Sequence, residues 1–293
     1  MAMQKSVSGA VLVTGASSGI GKACAFHLHE LGFKVFAGVQ TESERDKIMA
    51  KASPMFTPVL MDVTDLQSIS SAFDIISNLA GESGLVGLVN NVEAGCAVPL
   101  ELIPIPDLRL QLEVNIIGPI AVTQKFLPLL QPGRGRIVNI GSVSGVFAEP
   151  LLGLYSASKY AIEAFSDSIR LELRPKNIFV SLIEPGTVSA LIWERTHAKT
   201  REFMENLSPA EHHLYGDRFK DFFETMEKAS NVGLSTEIVA NAAAHALISK
   251  HPKTRYALGP DPKLMAKLIK FLPAGIRDLV KTSLMNFAEN YSP

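Results

Sequence analysis

Thr14-Gly15-Ala16-Ser17-Ser18-Gly19-Ile20-Gly21 decides the reading of this chain. A short apolar run at 10–14 precedes it with the pattern of a strand, and 19–31 follows with the pattern of a helix. A strand that turns through closely spaced glycines into a helix brings backbone N–H groups and the positive end of a helix dipole to one point. Glycine also lets the backbone approach a pyrophosphate where a Cβ would intrude. The turn alone is weak, because Gly and Ser form turns for many reasons. Its place between strand and helix points to a dinucleotide site, with Gly15, Ser17, Ser18, Gly19, Ile20 and Gly21 as contacts.

The alternation continues outward. Strand candidates follow at 34–39, 57–61, 85–90, 136–140, 179–183 and 255–258, apolar nearly throughout, as expected of strands covered on both faces. Helix candidates lie between them at 43–52, 66–80, 106–130, 155–173 and 236–249, with a kink predicted at Gly118-Pro119. The order predicts an α/β fold: one Rossmann-type domain over 1–293, its doubly wound parallel sheet covered by helices on both faces. Ligands in such sheets bind beyond the carboxyl ends of the strands. The glycine turn, Asp62, Asn90, Ser142 and Pro185-Gly186 all fall just after a strand, on that one edge.

Residues 187–233 break the rhythm with a long, charged insertion that carries Ile192, Trp193, Phe203, Tyr215, Phe219, Phe222 and Phe223. A connection of that length is usually functional, and two or three helices forming a substrate lid are expected. Residues 261–293 read as a helical extension, divided by Pro273 and Gly275. It suits a cover over the pocket or a subunit interface better than a membrane-surface helix.

Composition excludes several classes. Lys and Arg total 28 against 29 Asp and Glu, so no global field favours nucleic acid or an anionic membrane. Cys24 and Cys96 make no disulfide framework, and no apolar run approaches the ~18–20 residues of a membrane span. A soluble cytoplasmic protein is expected. His212-His213 has no partner at a useful spacing, and adjacent residues do not share a helix face, so no metal site is expected.

Tyr155 and Lys159 stand four apart on a predicted helix, which sets their Cβ atoms ~5–6 Å from each other on one face. An ammonium beside a phenol favours the phenolate and lowers its pKa from about 10. Ser142 can hydrogen-bond the oxygen whose proton Tyr155 gives or takes. Together with a dinucleotide site, this set predicts hydride transfer.

With these motifs the chain resembles the short-chain dehydrogenase/reductase superfamily over nearly its whole length. Thr-Gly-x-x-x-Gly-x-Gly stands at 14–21, Asp62-Val63 follows the third strand, Asn115 stands in the long helix, and Tyr-x-x-x-Lys lies at 155–159. The resemblance implies a tetrad of Asn115, Ser142, Tyr155 and Lys159, with Asn115 holding a water that extends the proton relay past Lys159. It implies adenine contacts from Asp62 and Val63, and a nicotinamide-closing segment in Pro185, Gly186, Thr187 and Val188, with Asn90 and Gln40 also on the coenzyme. It further implies a homodimer or homotetramer. Residues 180–186 and the long lid are similar to the branch of hydroxysteroid and retinol dehydrogenases, which implies a bulky lipophilic alcohol or carbonyl. Ser142, Val143, Phe147, Leu152, Tyr155, Ile192 and Trp193 are the candidate substrate contacts.

Two departures bear on the site. The family usually has Asn-Asn-Ala-Gly after the fourth strand, and this chain has Asn90-Asn91-Val92-Glu93. Glu93 is expected to point to solvent; the other reading has it intruding near the nicotinamide ribose and weakening coenzyme binding. It is also the only support for an alternative function, a coenzyme-binding sensor or scaffold that no longer catalyses. The acid that NAD-preferring members carry at the end of the second strand is Val39 here. Gln40, Thr41, Ser43 and Arg45 could meet a 2′-phosphate, so NADP(H) is expected over NAD(H).

Overall fold

The computed structural model describes residues 9–50, 53–132, 134–188, 191–231 and 233–259, with 272, 273, 275 and 276; within 191–195 and 229–231 only the backbone is described. Seven parallel strands form one sheet in the order β3-β2-β1-β4-β5-β6-β7. They are β1 (Ala10–Val13), β2 (Lys34–Val39), β3 (Phe56–Leu60), β4 (Leu85–Asn90), β5 (Arg136–Ile140), β6 (Phe179–Pro185) and β7 (Arg255–Leu258). The helices are α1 (Gly19–Glu30), α2 (Glu42–Met49), α3 (Leu66–Ala80), α4 (Ile105–Leu112), α5 (Gly118–Leu130), α6 (Gly153–Leu173), α7 (Leu191–Glu205), α8 (Pro209–Asn231) and α9 (Thr236–Ile248). This is the doubly wound Rossmann arrangement.

Alternation along a strand sends successive side chains to opposite faces, and β1 shows what that does. Val11 and Val13 join one core with Cys24 and Leu28 of α1 and Val239 and Ala243 of α9. Leu12 joins the other, with Ile76 of α3 and Phe126 of α5. All four residues of β1 are buried. Strand order reverses at β1, where β2 lies on one side and β4 on the other. That switch point opens the crevice in which ligands bind.

The helix expected over 106–130 divides. Between α4 and α5 lies a π-type turn, Glu113–Ile117. Pro119 has no N–H to donate into the preceding turn, and the wider turn absorbs that loss. Other boundaries move by one to three residues: α6 begins at Gly153, β6 runs on to Pro185, and α2 ends at Met49. The insertion after β6 contains two helices, α7 and α8. The expected extension at 261–293 lies almost wholly outside the described residues.

One polar cluster fixes the helix that carries Tyr155 and Lys159. Arg255 of β7 donates to Glu163 at 2.9 Å and to both oxygens of Asp167 at 3.0 and 2.8 Å, all on α6. Bidentate pairs of this kind set orientation as well as distance. Hydrogen bonds from Arg255 hold the Asp167 carboxyl below its usual range.

Candidate active site

The glycine turn is shaped for an anion. Gly15 and Gly19 have φ of +66° and +54°, in the left-handed region that glycine enters without strain. A side chain on Gly21 would overlap the Gly15 carbonyl oxygen, so this turn closes only on glycine. Ser18 is the N-cap of α1 but makes no side-chain cap bond, and no acid stands in the first turn. The first N–H groups of α1 are thus left uncapped beside a cleft lined by Gly15, Ser17, Ser18, Gly19 and Ile20. A pyrophosphate fits such a helix terminus.

The second wall comes from β4, through Asn91 rather than Asn90. The Asn90 amide donates to Thr123 Oγ1 and Asn139 Oδ1, both at 2.9 Å, inside the fold. Its neighbour faces the other way, as strand alternation requires. Asn91 lines the cleft, donates its side-chain amide to Thr14 O at 3.1 Å and its backbone N–H to Thr14 Oγ1 at 2.9 Å. The Asn90 side chain, expected on the coenzyme, thus ties β4 to β5 and α5 inside the fold.

Past the ends of β2 and β3 the cleft is lined by Gln40, Glu44, Asp62 and Val63. Gln40 donates its amide to Asp62 Oδ2 at 3.0 Å and its backbone N–H to Glu44 Oε2 at 3.0 Å. Glu44 N–H in turn donates to Thr41 Oγ1 at 3.2 Å, a reciprocal cap on α2. Burial pushes the Asp62 carboxyl up, but bonds from Gln40 and Thr64 outweigh it and hold the group below its usual value. Arg45, expected to reach a 2′-phosphate, instead pairs with Glu42 and Asp46. Glu44 went unread in the sequence, although Thr41-x-x-Glu44 has the spacing of a capping box.

At the other end, Ser142 caps the tight turn after β5, its Oγ accepting from Ser144 N–H at 3.1 Å. Tyr155 lies in the first turn of α6, and Lys159 one turn on. Lys159 is only 3% exposed; its Nζ donates to Ile140 O at 3.1 Å and lies 2.6 Å from Glu93 Oε2. The Tyr155 hydroxyl donates to the same Glu93 oxygen at 3.1 Å. Glu93 does not point to solvent: it is 17% exposed and bridges the two residues expected to move the proton. The expected lowering of the Tyr155 pKa is not realised either. Burial first, and the Glu93 charge second, push the phenol well above its ordinary range, while its bond with Ser142 pulls the other way.

Asn115 lies in the π-type turn, where it reaches the loop that bears Glu93. Its Oδ1 accepts from Ala94 N–H at 2.7 Å, and its Nδ2 donates to Ala94 O at 2.8 Å and Ser158 Oγ at 2.9 Å. Both amide hydrogens are spent on this clamp, so the expected relay water cannot be held by them. Farther along, Ala97 N–H donates to Thr200 Oγ1 of α7 at 3.0 Å. Tyr215 and Phe219 of α8 pack with Ala97, Leu151 and Leu152, flanked by Phe203, Phe222 and Phe223. Leu152, Thr196 and Lys199 line the cleft, the last two unforeseen. Phe147 is buried and Val143 lies in the turn after Ser142; the side chains of Ile192 and Trp193 lie outside the described residues. Gly186 N–H donates to Leu258 O at 3.0 Å, and Val188 is buried beside Leu234.

A dinucleotide cleft that ends on a Ser–Tyr–Lys set defines a nicotinamide-dependent oxidoreductase of Rossmann fold. Residues 9–201 match the family model described as short chain dehydrogenase, and the chain belongs to that family. It interconverts an alcohol and its carbonyl with NAD(P)(H). Retinol dehydrogenase 5 of Mus musculus is 37% identical over 281 residues, covering 94% of this chain and 88% of the relative. NADPH-dependent 3-dehydrocapnine reductase of Ornithobacterium rhinotracheale is 35% identical, covering 89% and 91%. A short-chain dehydrogenase/reductase from Burkholderia phymatum, solved in complex with NAD, superposes with a TM-score of 0.75 at 23% identity, covering 91% and 94%.

Proposed function

We propose that this enzyme acts on a bulky lipophilic alcohol or carbonyl, steroid- or retinoid-like, and prefers NAD(H) to NADP(H). One observation carries the substrate reading: the cleft that reaches Tyr155 is walled by Leu152, which packs with Leu151 and Phe219 under the lid helices. An apolar wall with a few polar groups at its end suits a large apolar ligand held by one oxygen. The likeness to a retinol dehydrogenase supports the same class.

In this reading the bound coenzyme supplies or receives the hydride at the substrate carbon. The uncapped N–H groups of α1 would hold the pyrophosphate, and Asp62 and Val63 would meet the adenine. Ser142 holds the substrate oxygen, and Tyr155 gives it a proton in reduction or takes one in oxidation. Lys159 binds the nicotinamide ribose hydroxyls, and its charge favours the phenolate once Glu93 no longer neutralises it.

The coenzyme preference departs from the expectation drawn from Val39. Glu44 brings a carboxylate to the Gln40 N–H on the cleft wall, while Arg45, the cation expected to meet a 2′-phosphate, pairs with Glu42 and Asp46. A carboxylate accepts from ribose hydroxyls and repels a phosphate. The NADPH-dependent relative pulls the other way, so competition between the two coenzymes for the wild type is the test. Tighter binding of NADPH than NADH refutes this preference. A panel of steroid, retinoid and small carbonyl substrates, followed at the nicotinamide absorbance, tests the substrate class; turnover confined to the small ones refutes it.

The same reading has the protein working in the cytoplasm as a homodimer or homotetramer. Its two free cysteines suit a reducing compartment, and burial pushes the Cys24 thiol up to about 12. Exposed Ile105 and Ile117, at the start of α4 and at the end of the π-type turn that follows it, are apolar surface that a second copy would cover. Light scattering of a monomer, or recovery in a membrane fraction, argues against it.

A further inference from the structure

We infer that Glu93 is a self-ligand in the nicotinamide half of the site, which the coenzyme must displace before the enzyme can react. The inference rests on the coenzyme reading above and adds a control on it. Tyr155 has a single hydroxyl hydrogen, and that hydrogen goes to Glu93 Oε2 at 3.1 Å. While it does, no substrate oxygen can receive it. In the oxidative direction the same carboxylate stands against the phenolate that must form. Lys159 Nζ, expected to hold the ribose hydroxyls, lies 2.6 Å from the same Glu93 oxygen. One carboxylate thus occupies the proton donor and the ribose anchor together.

The surrounding backbone says how this contact opens. Asn91 is tied to Thr14, Ala94 is clamped by Asn115, and Ala97 N–H is held by Thr200. The backbone on either side of Glu93 is therefore pinned at three points. What remains free to move is the Glu93 side chain, by rotation about its own bonds, with the loop left in place. Ribose hydroxyls arriving at Lys159 replace the carboxylate as acceptors, and the released Glu93 swings toward water through the opening that leaves it 17% exposed. The adenosine half of the cleft lies past the ends of β1, β2 and β3, and the bonds this carboxylate makes are to Tyr155 and Lys159 at the other end. Coenzyme therefore docks by its adenosine diphosphate half and completes the site by evicting Glu93.

Binding of coenzyme fragments tests this without reliance on turnover. NADH and ADP are titrated, by fluorescence and calorimetry, into the wild type, Glu93→Gln and Glu93→Gly. ADP has no nicotinamide ribose and reports the adenosine half alone. Expected is a gain of about tenfold or more in NADH affinity in both variants, equivalent to ~1.4 kcal/mol, with ADP affinity changed less than about twofold. Each variant should also melt lower than the wild type when free, because Lys159 loses its counter-ion, and gain more on NADH addition. NADH affinity unchanged or weakened, with normal ADP binding, overturns the inference and leaves the coenzyme reading standing. Equal tightening of ADP and NADH also overturns it, because the effect is then general electrostatics. Failure of ADP and NADH to bind the wild type and both variants removes the coenzyme reading and the inference with it.

Discussion

Each end of the cleft carries a glutamate, and the same side chain is used in opposite ways. At the adenosine end Glu44 sits on the rim, accepts a backbone N–H and leaves the cleft open. At the nicotinamide end Glu93 is largely buried and bonds to both Tyr155 and Lys159. Two unit charges 4 Å apart interact by about 1 kcal/mol in bulk water and about 4 kcal/mol in the partly dry surroundings of a protein. A carboxylate on the rim therefore adjusts which ligand is preferred, whereas one in the dry end decides whether the site is ready. Burial, more than residue type, sets the consequence of a charge in this cleft.

The comparison can be broken most forcefully at Tyr155. Tyr155→Phe should lower kcat by about 10²-fold or more and leave ADP affinity as it was, because only the transferable proton is lost. Retention of more than about a tenth of wild-type kcat, a deficit of only ~1.4 kcal/mol, would mean that another group is the acid and that the dry end has been misread. Next comes a double-mutant cycle on NADH binding. The gain of Glu93→Gln should vanish in a Lys159→Met background, a coupling of about 1–3 kcal/mol. Additivity within ~0.5 kcal/mol would show that Glu93 does not act through Lys159.

A smaller effect is expected at the apolar wall. Leu152→Ala should raise KM for a bulky lipophilic substrate by about fivefold, the value of a few tens of Å² of apolar contact, and spare a small carbonyl compound. Equal changes for both would take Leu152 off the substrate wall. The smallest belongs to Glu44. Glu44→Gln should shift the NADH/NADPH affinity ratio toward NADPH by about two- to fivefold, in line with the worth of a partly exposed charge. That shift should shrink as salt is raised, because a charge on the cleft wall open to solvent is screened; the Glu93 effect, exerted on the buried Lys159, should depend less on salt. Matching salt dependence at the two ends would undo the distinction between rim and interior.

Much of this molecule could be read from its chain because strand–helix alternation and glycine spacing are local signals. The seven strands were expected within a residue or two, and α3 at its observed bounds, since continuous apolar runs and helical periodicity leave little choice. What escaped depends on where side chains point. Asn90 and Asn91 are adjacent and identical in kind, and only the pleat decides which one faces the cleft. Glu93 looks like a surface residue by type, and its inward turn depends on the ammonium of Lys159, which lies far along the chain. Val188 is apolar whether it lines a pocket or fills a core. The π-type turn at 113–117 arises from Pro119 two residues beyond it, and a kink there was foreseen without its geometry. Charge direction and packing partners are set by tertiary contacts, so sequence pattern constrains them least.

The central position of β1 has a consequence for how the chain is made. Thr14 takes its partner Asn91 from 77 residues later. At about 5–20 residues per second, the glycine turn waits several seconds on the ribosome before its opposite wall exists. Until then β1 can pair only with β2, and its other edge, Ala-Val-Leu-Val, offers unpaired backbone to any neighbour. The wait for cover is longer still, since Val11 and Val13 share their core with α9, which begins only at Thr236. The part of the protein that folds from the most local instructions is thus among the last to be buried. The nascent chain carries an exposed apolar strand through most of its synthesis, a natural client for whatever chaperone meets it there.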